Sequence, residues 1–148
     1  MERKLNCVLL IDDDEPTNFL NQIIIENTGC ADEIKTVQSG EEALNYLTQT
    51  ANSGQICPSP DLIFLDINMP AMNGWEFLER YRKLESHQKG KMMIVMLTTS
   101  LFPEDKALAK EIPEISAFEN KPLTEEKLNN ILRKFFEKNE QIYQGKAV

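Results

Sequence analysis

The stretch Leu62-Ile63-Phe64-Leu65-Asp66 decides the fold of this chain, because four consecutive apolar residues end in a carboxylate. The run has no alternating polar face, which is typical of a strand that is covered on both sides in a parallel sheet. An aspartate that emerges from such a strand needs compensation for the burial of its charge. We therefore expect Asp66 to lie at the carboxyl end of a central strand, where open α/β sheets bind their ligands.

Four further apolar or β-rich runs alternate with stretches of helical periodicity on either side of this strand. They predict strands over Leu5–Ile11, Ala31–Val37, Met92–Leu97 and Ile115–Glu119. Five strands and five helices in strict alternation favour a doubly wound parallel sheet, which is an α/β fold.

The first helix is predicted to begin at Asp14 and to end near Gly29, because Asp is a good N-cap and Pro16 suits the first turn. Apolar residues recur four positions apart along it, and we expect them to form its buried stripe. These pairs are Phe19 with Ile23 and Leu20 with Ile24.

The remaining helices are predicted from the same spacing and from turn residues. The second helix begins at Ser39-Gly40, with Ala43, Leu44 and Leu47 inward, and a loop follows from Thr48 to Pro60. The third helix follows Asn73-Gly74 and ends before a break at Gln88-Lys89-Gly90, and its residues at helical spacing are Trp75, Leu78, Tyr81, Arg82 and Leu84. The fourth helix spans Pro103–Ile112, and Thr124 caps the fifth, which buries Leu128, Ile131, Leu132, Phe135 and Phe136. The fifth is predicted to end near Glu140, so we expect one domain over 1–140, a tail over 141–148 and no output domain.

Composition narrows the classes of function. The chain has 148 residues, 41% of them apolar, and a net charge of −8, so no basic face is available for nucleic acid. No window reaches the apolar length of a membrane span, and Met1–Lys4 does not begin a signal peptide, so a cytoplasmic protein is expected. Cys7, Cys30 and Cys57 lack the spacing of a metal or disulfide framework, and Cys7 is predicted to be buried.

Reactive groups follow four of the predicted strands. Asp12 and Asp13 follow the first strand, Asp66 the third, Thr98 the fourth, and Lys121, which precedes Pro122, the fifth. Each also has an ordinary explanation, as a helix N-terminus, a turn residue or a solvated lysine. Because the carboxyl ends of parallel strands share one edge, we expect the five to converge on one pocket. Three carboxylates, a hydroxyl and an ammonium suit a divalent cation and a phosphoryl group on a carboxylate.

The order of these groups resembles the receiver domain of two-component response regulators. The resemblance extends from about Leu5 to Lys138, and its most specific segments are Pro60–Pro70 (PDLIFLDINMP), Asn73-Gly74, Leu97–Ser100 (LTTS) and Lys121–Leu123 (KPL). It implies a flavodoxin-like (βα)5 fold with strand order 2-1-3-4-5. The segment Leu97–Ser100 is also similar to small receivers that pair with phytochrome-type sensor kinases.

The resemblance implies a role for each site residue. Asp66 matches the phospho-accepting aspartate, Asp13 a direct Mg²⁺ ligand, Asp12 a ligand through water, Asn68 a backbone oxygen ligand, Thr98 the switch hydroxyl, Lys121 the lysine that pairs with a phosphoryl oxygen, and Phe118 the switch aromatic, which is Tyr in many members. The Lys121–Pro122 bond is expected to be cis. The alternative for Phe118 is a core aromatic on a short strand.

The implied protein is a phospho-accepting switch rather than a turnover enzyme, and it catalyses only its own phosphorylation and dephosphorylation. Its expected partners are a histidine kinase or histidine phosphotransfer protein and an unidentified downstream protein, in a relay or as a diffusible switch, and as a monomer or homodimer. Two alternatives stay open. One is a haloacid-dehalogenase-like phosphohydrolase, although Asn68 stands where its second acid would be. The other is a receiver-like binding module that accepts no phosphate.

Overall fold

The computed structural model describes residues 4–53, 60–84 and 93–147. Five parallel strands form one sheet in the order β2-β1-β3-β4-β5, which confirms the predicted fold. The strands are β1 Leu5–Ile11, β2 Ala31–Val37, β3 Leu62–Leu65, β4 Met93–Thr98 and β5 Ile115–Asn120. The helices are α1 Glu15–Thr28, α2 Gly40–Ser53, α3 Gly74–Arg82, α4 Pro103–Glu111 and α5 Glu125–Ala147. Among the described helices, none combines the length and apolarity that a membrane span requires.

The sheet is covered on both faces, as its uninterrupted apolar strands predict. Successive residues of a strand point to opposite faces, so Leu9 packs into one core cluster and Leu10 into the other. The first cluster takes side chains from α2 and α3, and the second takes them from α1 and α5. Cys7 is fully buried, as predicted.

The predicted apolar stripe of α1 is wrong for Phe19 and Leu20, whereas Ile23 and Ile24 are half-buried and Ile24 packs against the second core cluster. Phe19 and Leu20 are 61% and 59% exposed, whereas Asn18, Asn21 and Ile25 are buried. These three positions lie three and four residues apart and therefore share one helical face. The helix turns that face towards the sheet because the Asn18 amide makes hydrogen bonds there, which periodicity of apolar residues does not register.

Several predicted boundaries also differ from the structure. Helix α2 continues to Ser53, so the expected loop from Thr48 is helical over its first turn and a half, and residues 54–59 lie outside the described residues. The predicted break at 88–90 lies outside them as well. Thr98 is the last residue of β4 rather than the first beyond it. Helix α5 continues past Glu140 to Ala147, so residues 141–147 of the expected tail are helical, and Val148 lies outside the described residues.

Local capping explains where three helices begin or end. The Asp14 carboxylate accepts a hydrogen bond from the Thr17 backbone N–H, and Gly29 ends α1 in the left-handed region with φ of 65°. Asn73 begins α3 with a reciprocal capping box to Glu76. Thr124 accepts a hydrogen bond from the backbone N–H of Lys127 at the start of α5, which confirms the predicted cap.

The loop between β3 and α3 folds tightly against the end of β3. The Gly74 backbone N–H donates to the carbonyl of Ile67 over 2.8 Å, and Ala71 adopts a positive φ of 67°. A Cβ atom built at Gly74 would lie 2.5 Å from the backbone oxygen of Asp66. Gly74 therefore allows the helix to approach the residue that carries the carboxylate.

We expect Gly74→Ala to lower the free energy of unfolding by about 1–3 kcal/mol, because the backbone of Asp66 must move away from the added methyl group. Urea unfolding measures the loss, and Glu79→Ala on the exposed face of α3 is the control. A Gly74→Ala protein as stable as the Glu79→Ala protein would contradict this close approach.

Candidate functional site

Three carboxylates meet where β1 and β3 end side by side. The backbone N–H of Asp66 donates to the carbonyl of Ile11, so Asp66 lies next to Asp12 and Asp13 at the start of the adjacent loop. One carboxylate oxygen from each of the three aspartates lies within 4.8 Å of the others. Asp12 and Asp66 are buried and Asp13 is exposed. A hard divalent cation takes oxygen ligands of this kind, so the donor set fits Mg²⁺.

Lys121 reaches this acidic cluster from the end of β5. Its Nζ lies 2.5 Å from Oδ2 of Asp12 and 3.4 Å from Oδ1 of Asp66. The backbone N–H of Lys121 donates to the carbonyl of Thr98, which places the β5 end beside the β4 end. The Lys121–Pro122 bond is cis, as the resemblance implied. The structure thus brings the predicted ammonium to the predicted carboxylates.

The charges of the site perturb one another. Burial, and after it the charge of Asp12, raise the pKa of Asp66 to about 6, although Lys121 opposes both effects. Burial alone would lower the pKa of Lys121, but the hydrogen bond to Asp12 and the charges of Asp66 and Asp12 raise it overall. One ammonium therefore faces three carboxylates, and the excess of negative charge attracts a further cation.

Asn18 is a residue of this site that the sequence did not reveal. Its Nδ2 donates to the backbone carbonyls of Asp12 and Val37, over 2.9 and 3.1 Å, and so fastens the ends of β1 and β2. Its Oδ1 is buried without a hydrogen-bond partner among the described residues. The available signal was an asparagine six residues after Asp12, but the apolar pairs beside it suggested a different helical face.

Thr98 is fully buried, and its Oγ1 accepts a hydrogen bond from the backbone N–H of Ser100 over 3.1 Å. Phe118 is partly buried and packs against the core cluster on the α2 and α3 side of the sheet, which confirms its reading as a core aromatic. Its switching role stays a prediction. Asn68 is exposed on the loop that follows Asp66, and the role of its backbone oxygen also stays a prediction.

Known proteins have a similar fold and a related sequence. A family model described as the response regulator receiver domain matches residues 8–133. A two-component response regulator from Cytophaga hutchinsonii is 39% identical, with a TM-score of 0.83, over 91% of this chain and 99% of that one. The receiver domain of the histidine kinase CKI1 from Arabidopsis thaliana, complexed with Mg²⁺ and BeF₃⁻, is 25% identical, with a TM-score of 0.70, over 89% and 90%. The bacteriophytochrome response regulator AtBRR is 26% identical, with a TM-score of 0.72, over 89% and 93%.

Curated relatives differ in their total length. The two-component response regulator ORR41 of Oryza sativa subsp. japonica is 30% identical over 136 residues, which are 91% of this chain and 98% of the relative. Hybrid signal transduction histidine kinase L of Dictyostelium discoideum is 28% identical over 132 residues, which are 88% of this chain and 7% of the kinase. The matched unit therefore occurs both nearly alone and within much longer proteins.

The raised pKa of Asp66 predicts that Asp66→Asn stabilises the metal-free protein. Its native pKa of about 6 exceeds the ordinary value of 3.8, so the native state holds the proton more tightly and the ionised carboxylate lowers stability as pH rises through this window. Well above pH 6 we expect Asp66→Asn to raise the free energy of unfolding by about 1–3 kcal/mol. Below pH 3.8 the difference should disappear.

Urea unfolding in a chelator at both pH values measures this effect. Glu33→Gln, which removes an exposed carboxylate from the edge strand, is the control and should show no comparable gain. An Asp66→Asn protein that is no more stable than wild type at the higher pH would show that Asp66 is not destabilised by its surroundings.

Proposed function

Because the chain belongs to the family of response regulator receiver domains, whose general function is to accept a phosphoryl group, we propose that Asp66 is the acceptor in this protein. One observation carries the proposal: the Asp66 carboxylate lies in a cluster with those of Asp12 and Asp13, with the ammonium of Lys121 3.4 Å from its Oδ1. A nucleophilic carboxylate beside a cation site and a fixed ammonium is the arrangement that phosphoryl transfer requires.

The proposed donor is a phosphohistidine of a histidine kinase or of a histidine phosphotransfer protein, the partners with which receiver domains generally interact. An Asp66 oxygen attacks the phosphorus, a P–O bond forms, and the P–N bond breaks as the imidazole leaves with the bonding electrons and takes up a proton. With a pKa of about 6, Asp66 is mostly ionised at neutral pH and needs no general base.

Mg²⁺ is the cation we propose for the acidic cluster, as is typical of the family. Asp12, Asp13 and Asp66 would hold it with the backbone oxygen of Asn68. When bound, it supplies positive charge that offsets the repulsion between the carboxylates and an incoming phosphoryl group. The chain's own Lys121 would pair with a phosphoryl oxygen.

The output is proposed to be a change of surface rather than a released product. Thr98 would move towards the phosphoryl group, and Phe118 would turn into the space that this movement leaves. The altered face would bind an unidentified downstream protein or take part in a relay. Self-association and a cytoplasmic location stay predictions.

Labelling with a small acyl-phosphate donor and Mg²⁺ tests the acceptor. Intact mass spectrometry should show one added phosphoryl group on wild type and none on Asp66→Asn, because the amide is not a nucleophile under these conditions. Asp32→Asn, which removes an exposed carboxylate of β2, should label like wild type. Equal labelling of the Asp66→Asn protein would exclude Asp66 as the acceptor.

The same protein distinguishes the alternative functions. Steady release of phosphate from a generic phosphomonoester over many turnovers would indicate a phosphohydrolase. Complete failure of wild type to label would indicate a receiver-like binding module.

Lys121→Ala should separate metal binding from phosphoryl transfer. The carboxylates of the cluster remain, so Mg²⁺ should still bind, as titration of the fluorescence of Trp75, the single tryptophan, would show. The rate of labelling should fall on the order of 10²-fold, because the ammonium that faces the reacting oxygens is lost.

Lys134→Ala, an exposed site on α5, is the matched control for loss of one positive charge. If Lys121→Ala labels as fast as this control, then Lys121 has no part in the transfer.

A further inference from the structure

The ends of β4 and β5 are joined by a pair of hydrogen bonds that involve neighbouring residues. The backbone N–H of Lys121 donates to the carbonyl of Thr98 over 2.9 Å. The side-chain Nδ2 of Asn120 donates to the carbonyl of Ser100, also over 2.9 Å. The segment that carries the proposed switch hydroxyl is therefore attached to the segment that carries the proposed phosphoryl-binding lysine.

Ser100 is the point at which this attachment reaches Thr98 and α4. Its backbone N–H donates to Thr98 Oγ1 over 3.1 Å, and its own Oγ accepts from the Phe102 backbone N–H over 3.3 Å. The same Oγ forms a short hydrogen bond with the carboxylate of Asp105 in the first turn of α4. We call the bonds of Ser100 to Thr98, Phe102, Asp105 and Asn120 the Ser100 junction.

A movement of Thr98 towards Asp66 must either break its hydrogen bond with Ser100 or move Ser100 with it. The Thr98 hydroxyl oxygen is held by the Ser100 N–H, and Ser100 itself is 7% exposed and held from two other elements. Asn120 supplies the link from β5, and Asp105 supplies the link from α4. Moving Thr98 therefore costs the free energy of the hydrogen bonds that break.

Lys127 holds the main chain of Asn120 in place. Its Nζ donates to the carbonyl of Asn120 over 2.6 Å and to that of Pro122 over 3.1 Å, on either side of Lys121. The Asn120 side chain thus extends to Ser100 from a main chain that Lys127 holds in place. Removal of its amide should release Ser100 without displacing Lys121.

We propose that Asn120 is a positioning residue that, through Ser100, holds the Thr98 hydroxyl in the arrangement of the unphosphorylated protein. The proposal rests on the proposed function, since it assigns to Asn120 part of the free energy that phosphorylation must overcome to move Thr98. A ligand that draws Thr98 towards Asp66 works against the Ser100 junction, so weakening the junction strengthens the binding of that ligand. Asn120 acts on the switch and not on the cation site.

The test uses BeF₃⁻, a stand-in for the phosphoryl group, at saturating Mg²⁺. One hydrogen bond of ordinary strength corresponds to a tightening of about 2- to 10-fold in BeF₃⁻ affinity for Asn120→Ala, while Mg²⁺ affinity stays at the wild-type value. Asn6→Ala makes the same chemical change on an exposed side chain of β1, at the amino end of the strand, and should alter neither affinity. Ser100→Ala removes the bonds to Asp105 and Phe102 and should also tighten BeF₃⁻ binding.

Unchanged or weaker BeF₃⁻ binding by Asn120→Ala would overturn the proposal, since weaker binding would place the junction in the phosphoryl-bound arrangement. A parallel loss of Mg²⁺ affinity would also overturn it, by showing general damage to the site.

Hydrogen exchange of the Ser100 amide in metal-free protein is independent of phosphoryl chemistry. It should quicken about 2- to 10-fold in Asn120→Ala, and unchanged exchange would count against the link. If wild type itself fails to bind BeF₃⁻, the proposed function fails, while the exchange measurement still decides the link.

Discussion

Repulsion between the carboxylates of Asp12 and Asp66 is the constraint on which the rest of this structure depends. Both are buried at the ends of neighbouring strands, and burial together with this repulsion raises the pKa of Asp66 to about 6. Such a pair persists only where positive charge or a bound proton compensates it. Lys121 supplies one positive charge, and the negative charge that it leaves uncompensated makes the cluster a site for a divalent cation.

The topology of the sheet supplies both the repulsion and its compensation. Placing β1 between β2 and β3 sets the two acidic strand ends side by side, at the point where the order of strands reverses. The next two strands bring Thr98 and Lys121 to the same edge. Helix α3 can begin directly beneath Asp66 because Gly74 presents no Cβ atom to its backbone. Each reactive group is therefore held by a strand end rather than by a free loop.

The sequence predicted what depends on residue type and local order, and it missed what depends on contacts between distant residues. Apolar runs located the strands, and each predicted side chain of the pocket followed one, so the convergence of Asp12, Asp13, Asp66 and Lys121 was foreseeable. The inward face of α1 was not, because hydrogen bonds from Asn18 to main-chain carbonyls outweigh the apolar pairs beside it. The tie between Asn120 and Ser100 joins residues twenty positions apart, and no periodicity records it.

The Ser100 junction lies directly beside two bulky apolar side chains that face solvent. Leu101 and Phe102 are 86% and 71% exposed, although the residue before them is almost inaccessible. A protein could cover these side chains and bind more tightly when the Ser100 junction is broken. Its binding would then stabilise the same arrangement that the acyl phosphate stabilises. Reciprocity then requires that phosphorylation tighten the binding of such a companion by the same factor by which the companion favours the phosphoryl-bound arrangement, so the strength of the response would be a property of the pair rather than of either molecule.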